Sequence, residues 1–96
     1  MYHTAAKSGV VGALYILAIC YRNGVEIEQN MQTALELYHA AAEQGHAEAQ
    51  YDLGQCYENG IGVERDEQKA MDLYESAAEL GVANAQFAIF MKINLN

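Results

Sequence analysis

Residues 45–81 read GHAEAQYDLGQCYENGIGVERDEQKAMDLYESAAELG, and this stretch decides the fold because it repeats an earlier part of the chain. Residues 45–80 align without a gap on residues 9–44 and show 16 identities in 36 positions. The register continues upstream and downstream of this pair. A fixed period of this length predicts an array of stacked repeats. We therefore expect a single repeat domain over residues 1–96, divided into 1–8 (the end of a preceding repeat), 9–44, 45–80 and 81–96 (the first helix of a further repeat).

Each period predicts two helices joined by a short link. Residues 46–58 place apolar side chains at i, i+4, i+7 and i+8, which is the spacing of one buried helical stripe, and residues 67–80 repeat the pattern. Gly60 follows the first helix as a left-handed C-cap, and Asp66 precedes the second as an N-cap. Gly24 and Asn30 are predicted to have the same roles in the upstream copy. A hairpin this thin cannot bury its apolar face alone. The sequence therefore predicts an all-α solenoid of stacked antiparallel helix hairpins.

Residues 42–86 closely resemble the Sel-1-like repeat, a relative of the tetratricopeptide repeat. The shared pattern has Gly, Ala, Leu-Gly and Tyr around the first helix, Gly-x-Gly-Val in the link, and Asp, Ala, an aromatic residue and Ala-Ala in the second helix. The resemblance covers essentially the whole chain and implies a tetratricopeptide-like superhelix. The matching residues are Gly45, Ala49, Leu53, Gly54, Tyr57, Gly60, Gly62, Val63, Asp66, Ala70, Tyr74, Ala77, Ala78 and Gly81.

The upstream copy departs from this pattern at two positions. Glu26 stands where the downstream link has Gly62, and Ala18 stands where the downstream first helix has Gly54. A side chain disfavours positive φ, so Glu26 argues against left-handed geometry in its link. Ala18 predicts a slightly wider contact between the helices of its hairpin.

Charge and composition exclude several classes of protein. A formal net charge of −8, with only five Lys and Arg residues, argues against nucleic acid as a partner. The apolar run at residues 10–21 is shorter than the roughly 20 residues of a membrane-spanning helix. No signal peptide is visible, and Cys20 and Cys56 occupy equivalent repeat positions, where we expect free thiols and no disulfide. These features favour a cytoplasmic location.

No residue pattern predicts catalysis. His39 and Glu43 are four residues apart and share a helix face, but no third metal ligand lies near them, so we expect a surface imidazole. We expect His46, next to a glycine, at the surface as well. The carboxylates in and beside the links suit capping and helix-dipole roles better than acid–base chemistry. The sequence therefore predicts a protein that is not an enzyme, with no catalytic residues, no cofactor and no metal site.

First-helix positions that differ between copies indicate a binding surface, because packing fixes the positions that repeat. In tetratricopeptide solenoids the first helices line a concave surface that receives a peptide, and the resemblance implies the same surface here. This groove is expected to be polar and acidic in the middle and apolar at its ends. The predicted partner-binding residues are Leu14, Ile16, Ile19, Glu48, Gln50, Asp52, Gln55, Gln86 and Met91.

The family resemblance implies a non-catalytic scaffold or adaptor that binds a protein or peptide. One alternative is a β-lactam-binding or hydrolysing enzyme of the cysteine-rich branch, although those members pair two cysteines in each repeat and each full repeat here has one. Another is a structural segment of a longer solenoid, with self-association through its apolar terminal helices. Val10, Leu14, Ile16 and Ile19 are polar in the next copy, so they predict contact with a further repeat, a second molecule or a ligand.

Overall fold

The computed structural model describes the backbone of residues 2–95 and the side chains of residues 9–94. This part of the chain forms five helices and no strand. The helices are α1 (Tyr2–Asn23), α2 (Met31–Glu43), α3 (Ala47–Asn59), α4 (Glu67–Glu79) and α5 (Ala83–Leu95). Helices that are consecutive in the chain pack against each other, so α1–α2 and α3–α4 form two hairpins and α5 packs on α4. The result is a slab of 42 × 35 × 17 Å, and it confirms the predicted all-α helical solenoid.

The two links that join first to second helices fold alike. Gly24 and Gly60 begin them with φ of +70° and +67°. In both links the amide of the N-cap residue donates to the carbonyl of the last tyrosine of the first helix, at 2.9 Å. The N-cap side chains of Asn30 and Asp66 accept from the third amide of the following helix, which satisfies one of its free donors. The predicted caps are therefore confirmed.

Glu26 adopts the conformation of the glycine that it replaces. Its φ is +61°, against +73° for Gly62, so the expectation of a different geometry in this link was wrong. A Cβ on Gly62 would lie 2.7 Å from Leu35 Cδ1 of the preceding second helix. Glu26 is exposed, and no second helix precedes α1 in the described chain. The left-handed backbone of Glu26 therefore costs about 1–2 kcal/mol, but its side chain meets no steric clash.

Helix α1 is longer than the repeat predicts. The register places a turn at Gly9, like those at Gly45 and Gly81, but the helix continues unbroken from Tyr2 to Asn23. The turns at Gly45 and Gly81 have one contact that the Gly9 position lacks. Gln50 donates to a carbonyl in the last turn of α2, and Gln86 does the same for α4. Leu14 holds the equivalent position in α1 and has no side-chain donor. The side chains of residues 1–8, including those of Tyr2, Ala5 and Ala6, which mark the earlier copy in the sequence, lie outside the described residues.

The core lies between the two hairpins and under α5. Equivalent residues of the repeats are buried to different extents, because they are covered by different neighbouring helices. Leu53 is 1% exposed because α2 covers this side of α3. Leu17 is the equivalent residue of α1 and is 38% exposed, since no described second helix covers it. The helices of the α3–α4 hairpin approach closely at Gly54, where a Cβ would lie 2.9 Å from Tyr74 Cε1. Ala18, at the same position in α1, is completely buried.

Candidate functional site

Most of the predicted binding residues share one side of the solenoid, which we call the first-helix face. Two contacts define this side: the Tyr15 hydroxyl of α1 reaches Asp52 of α3, and Gln55 of α3 lines a groove together with Met91 of α5. By the repeat register, the residues of this face are Ile16 and Ile19 from α1, Glu48, Asp52 and Gln55 from α3, and Met91 from α5.

A groove of ≈ 500 Å³ lies between α3 and α5 on this face, and we call it the first-helix groove. Gln55 donates from Nε2 to the Tyr51 hydroxyl at 3.0 Å, so the two polar side chains form one fixed unit. Phe87 and Met91 contribute the apolar side of the groove, and 63% of Phe87 is exposed. The groove therefore combines an exposed aromatic ring, a flexible thioether and an orientated amide.

An ion pair lies at the base of the first-helix groove. Lys92 Nζ of α5 is 2.8 Å from Glu58 Oε2 of α3, and the Tyr74 hydroxyl donates to the other carboxylate oxygen at 2.5 Å. Both charged side chains are mostly buried, with exposed fractions of 21% and 29%. Burial alone would raise the pKa of Glu58, but the bonds from Lys92 and Tyr74 outweigh it, and the pKa lies below its usual value. The pair ties α5 to the hairpin before it.

Asp52 forms a hydrogen bond within the solenoid. The Tyr15 hydroxyl donates to Asp52 Oδ2 at 2.9 Å. Burial raises the pKa of the Asp52 carboxyl, and burial together with this hydrogen bond raises the pKa of Tyr15. The His46 ring packs against Tyr15 with centroids 4.5 Å apart, while its Nδ1 accepts from the Ala49 amide as the N-cap of α3. His46 is therefore half-buried, and its predicted surface position was wrong.

Gln50, Gln86 and Leu14 do not join the first-helix groove. Gln50 is 7% exposed and donates from Nε2 to the Ala42 carbonyl at 3.1 Å, and Gln86 donates to the Ala78 carbonyl at 3.2 Å. These carbonyls belong to the last turns of second helices, which lack partners inside their own helix. The glutamines thus cap the preceding second helix, whereas Leu14 packs on the core.

His39 is also more deeply placed than the sequence predicts. It is half-buried, and its Nε2 lies 3.1 Å from the Tyr57 hydroxyl, so the imidazole expected at the surface is partly covered and hydrogen-bonded. Within the described residues, no three His, Cys, Asp or Glu side chains are grouped so that they could hold a metal ion. Cys20 and Cys56 are free thiols, and burial raises the pKa of the Cys56 thiol.

The apolar face predicted on α1 divides into two parts. Leu14 and Ile19 are half-buried against the core, whereas Val10 and Ile16 are 58% and 62% exposed. Helix α5 also has large exposed apolar side chains, and these are Phe87, Phe90 and Ile93. None of the described helices is long and apolar enough to cross a bilayer. Self-association through the terminal helices stays a prediction.

The fold and the two-helix period define the class of this protein, which is a repeat solenoid with a groove between equivalent helices of neighbouring repeats. The chain belongs to the Sel1 repeat family: the model of that family, described as Sel1 repeat, matches residues 11–46 and 47–82. Both matches have the period of the sequence repeat and begin two residues after the divisions at Gly9 and Gly45. No curated protein sequence matches the chain.

Solved structures show the same architecture. A Sel1 repeat protein from Oxalobacter formigenes superimposes with a TM-score of 0.83 at 33% identity over 88% of this chain. A protein with this fold, described as a protective antigen of uropathogenic Escherichia coli strains, superimposes with a TM-score of 0.78 at 34% identity over the same share. The matched regions cover 35% and 18% of those two proteins, so the chain corresponds to only part of either.

Proposed function

We propose that this chain is a non-catalytic scaffold that binds a segment of a partner protein on its first-helix face. Sel1 repeat proteins are generally protein-interaction scaffolds. The partner segment lies across α3 and α5, over the first-helix groove, with Ile16 of α1 as a further apolar contact. This placement agrees with the concave binding surface that the family resemblance implies.

The observation that supports the proposal most is the groove in which Gln55 and Met91, at positions that differ between copies, lie beside the exposed Phe87. Aromatic residues dominate the binding energy of protein interfaces when a partner buries them, and methionine adapts to different apolar surfaces. Gln55 is orientated by Tyr51 at 3.0 Å, so it offers polar recognition at a fixed place. These groups belong to packed helices, which lowers the entropy lost on binding.

Site-specific photo-crosslinking tests this proposal. A benzophenone amino acid is placed at Phe87 in the first-helix groove or, as the control, at exposed Glu75 on α4. We expect a discrete crosslinked partner band in cell extract only for the Phe87 position, and we expect Gln55→Lys to reduce that band at least fivefold. Equal crosslinking from both positions, or a band that Gln55→Lys leaves unchanged, would refute binding in this groove.

Cys56 is completely buried and poorly placed to act as a nucleophile. Burial disfavours the Cys56 thiolate, which is the nucleophilic form. We expect no nitrocefin hydrolysis above the buffer rate from the purified chain. Turnover above that rate that co-purifies with the protein would instead favour the β-lactam-hydrolysing alternative.

A further inference from the structure

A second groove, of ≈ 350 Å³, lies between the second helices α2 and α4, with α3 beneath it, and we call it the second-helix groove. Its floor contains the side chains of Leu53, Leu73 and Gln50. Leu53 and Leu73 belong to the packed core region, so the floor is apolar and rigid. The volume lies at the lower end of the range of ligand pockets and suits one or two anchoring side chains.

One wall of this groove is an ordered aromatic cluster. Tyr57 shares a hydrogen bond of 3.1 Å with His39, and the two rings meet edge to face. Lys69 Nζ lies 5.1 Å from the centre of the Tyr57 ring, which places its cation against the aromatic face. Lys69, which lines the groove, therefore interacts with the Tyr57 ring.

The rim of the groove is acidic. Glu43 of α2 and Asp72 of α4 line it, and both are exposed. The groove therefore opens into a surface whose charges favour a basic partner.

Gln50 adds a polar feature to the floor. Its Nε2 is bonded to the Ala42 carbonyl, but its Oε1 is buried without a hydrogen-bond partner among the described residues. A buried acceptor without a donor costs about 1–3 kcal/mol. A backbone or side-chain N–H donor of an occupant that reaches Oε1 would remove that cost.

We propose that the second-helix groove binds a basic peptide segment of a partner protein. An apolar side chain of the peptide lies on Leu53 and Leu73, and flanking Lys or Arg residues face Glu43 and Asp72. This site is separate from the first-helix groove and does not depend on the function proposed for it. It requires two consecutive second helices, so the pairing of repeats creates it.

Fluorescence anisotropy with labelled peptides tests this site on the purified chain. The probe is Lys-Lys-Leu-Lys-Lys, and the controls are Lys-Lys-Ser-Lys-Lys and Glu-Glu-Leu-Glu-Glu. We expect the leucine peptide to bind at least tenfold more tightly than its serine counterpart, and the acidic peptide not to bind. Equal affinity for the two basic peptides would overturn the proposal, because it would show attraction by charge alone.

Two pairs of variants locate the binding. Ser76→Trp fills the groove, whereas Ala40→Trp places the same side chain at the equivalent position of α2, outside it. We expect at least a tenfold loss of affinity for Ser76→Trp only. Because Ser76→Trp could disturb folding, Asp72→Lys at the rim is paired with Glu75→Lys outside the groove, which makes the same change in net charge. A loss of at least fivefold is expected for Asp72→Lys only, and equal effects within this pair would overturn the assignment.

Discussion

The Tyr15 hydroxyl of α1 donates a hydrogen bond to Asp52 Oδ2 of α3 at 2.9 Å, and this bond joins the first helices of successive repeats. Asp52 is half-buried, so the bond partly offsets the cost of keeping its carboxylate away from water. The sequence indicated Asp52 as a contact for a partner. The structure gives it a role in holding two repeats together.

We expect Tyr15→Phe to lower the free energy of unfolding at pH 7 by about 1–2 kcal/mol, because it leaves a half-buried carboxylate without its donor. Asp52→Asn keeps an acceptor for Tyr15 and removes the charge, so it should cost less. Urea denaturation of both variants measures the difference. Tyr15→Phe with wild-type stability would contradict the role of the bond.

The pH dependence gives a second check on Asp52. Its folded pKa is raised above the ordinary value of 3.8. Protonated Asp52 therefore favours the folded state. Its contribution to stability is fully present below pH 3.8 and is lost as the pH rises through the folded pKa. Relative to wild type, Asp52→Asn should gain stability across this rise, and a difference that does not change with pH would exclude the linkage.

Glu58 should show the opposite pH dependence. Its pKa is lowered from 4.5, so the stabilisation from Lys92 and Tyr74 is complete above 4.5 and is lost as the pH falls through the folded pKa. We expect Glu58→Gln to cost about 1–2 kcal/mol at pH 7 and much less at pH 3. Thermal unfolding at both values measures this, with Glu64→Gln as an exposed control. An equal loss at both values would show that packing, not charge, is responsible.

Gly54 and Ala18 form a natural pair for testing hairpin packing. A Cβ on Gly54 would lie 2.9 Å from Tyr74 Cε1 and 3.4 Å from the Ala70 carbonyl oxygen. Overpacking a buried contact costs about 1–3 kcal/mol, which exceeds the gain of about 0.5–1 kcal/mol from replacing a helical glycine. We therefore expect Gly54→Ala to destabilise the fold by about 1–2 kcal/mol in urea denaturation.

The matched change, Ala18→Gly, should cost about 0.5–1 kcal/mol, because glycine loses more backbone entropy than alanine when the helix folds. Both changes should destabilise although they are the reverse of each other. If Gly54→Ala were stabilising, the contact between Gly54 and Tyr74 would not limit the approach of α3 and α4.

The features predicted correctly from the sequence depend on local or strictly repeated interactions. The period, the caps Asn30 and Asp66, and the left-handed Gly60 need only near neighbours, so one chain was sufficient to predict them. The contacts that fix the surface are less regular. Asp52 is bonded to a residue 37 positions earlier, and the equivalent residues of the other copies, Ile16 and Ala88, cannot form this bond.

Gln50 shows what the sequence analysis missed. Its position predicts a place on the binding surface because the upstream copy has Leu14 there, yet glutamine recurs at the equivalent position, Gln86. A residue that repeats belongs to the framework by the same reasoning that identified the core, and both glutamines do cap a second helix. His46 gave a weaker signal, because its capping role depends only on its place before α3 and does not repeat.

Glu26 offers a test of conformational strain in the upstream link. It has φ of +61° and is exposed, so its side chain gains little from packing while its backbone lies in the left-handed region. We expect Glu26→Gly to raise the free energy of unfolding by about 0.5–1 kcal/mol, after allowing for the greater flexibility of glycine in the unfolded chain. Urea denaturation at pH 7 measures the gain.

Glu26→Ala separates strain from charge. Alanine has a Cβ and keeps the strain, but it removes one carboxylate from a chain with a net charge of −8. If strain dominates, Glu26→Ala remains close to wild type and only the glycine variant gains stability. Equal gains from both variants would instead assign the effect to reduced charge repulsion. Gly62 is the residue equivalent to Glu26, and it should tolerate no side chain whichever of the two effects dominates. A Cβ at Gly62 would lie 2.7 Å from Leu35 Cδ1, and the backbone there is left-handed as well.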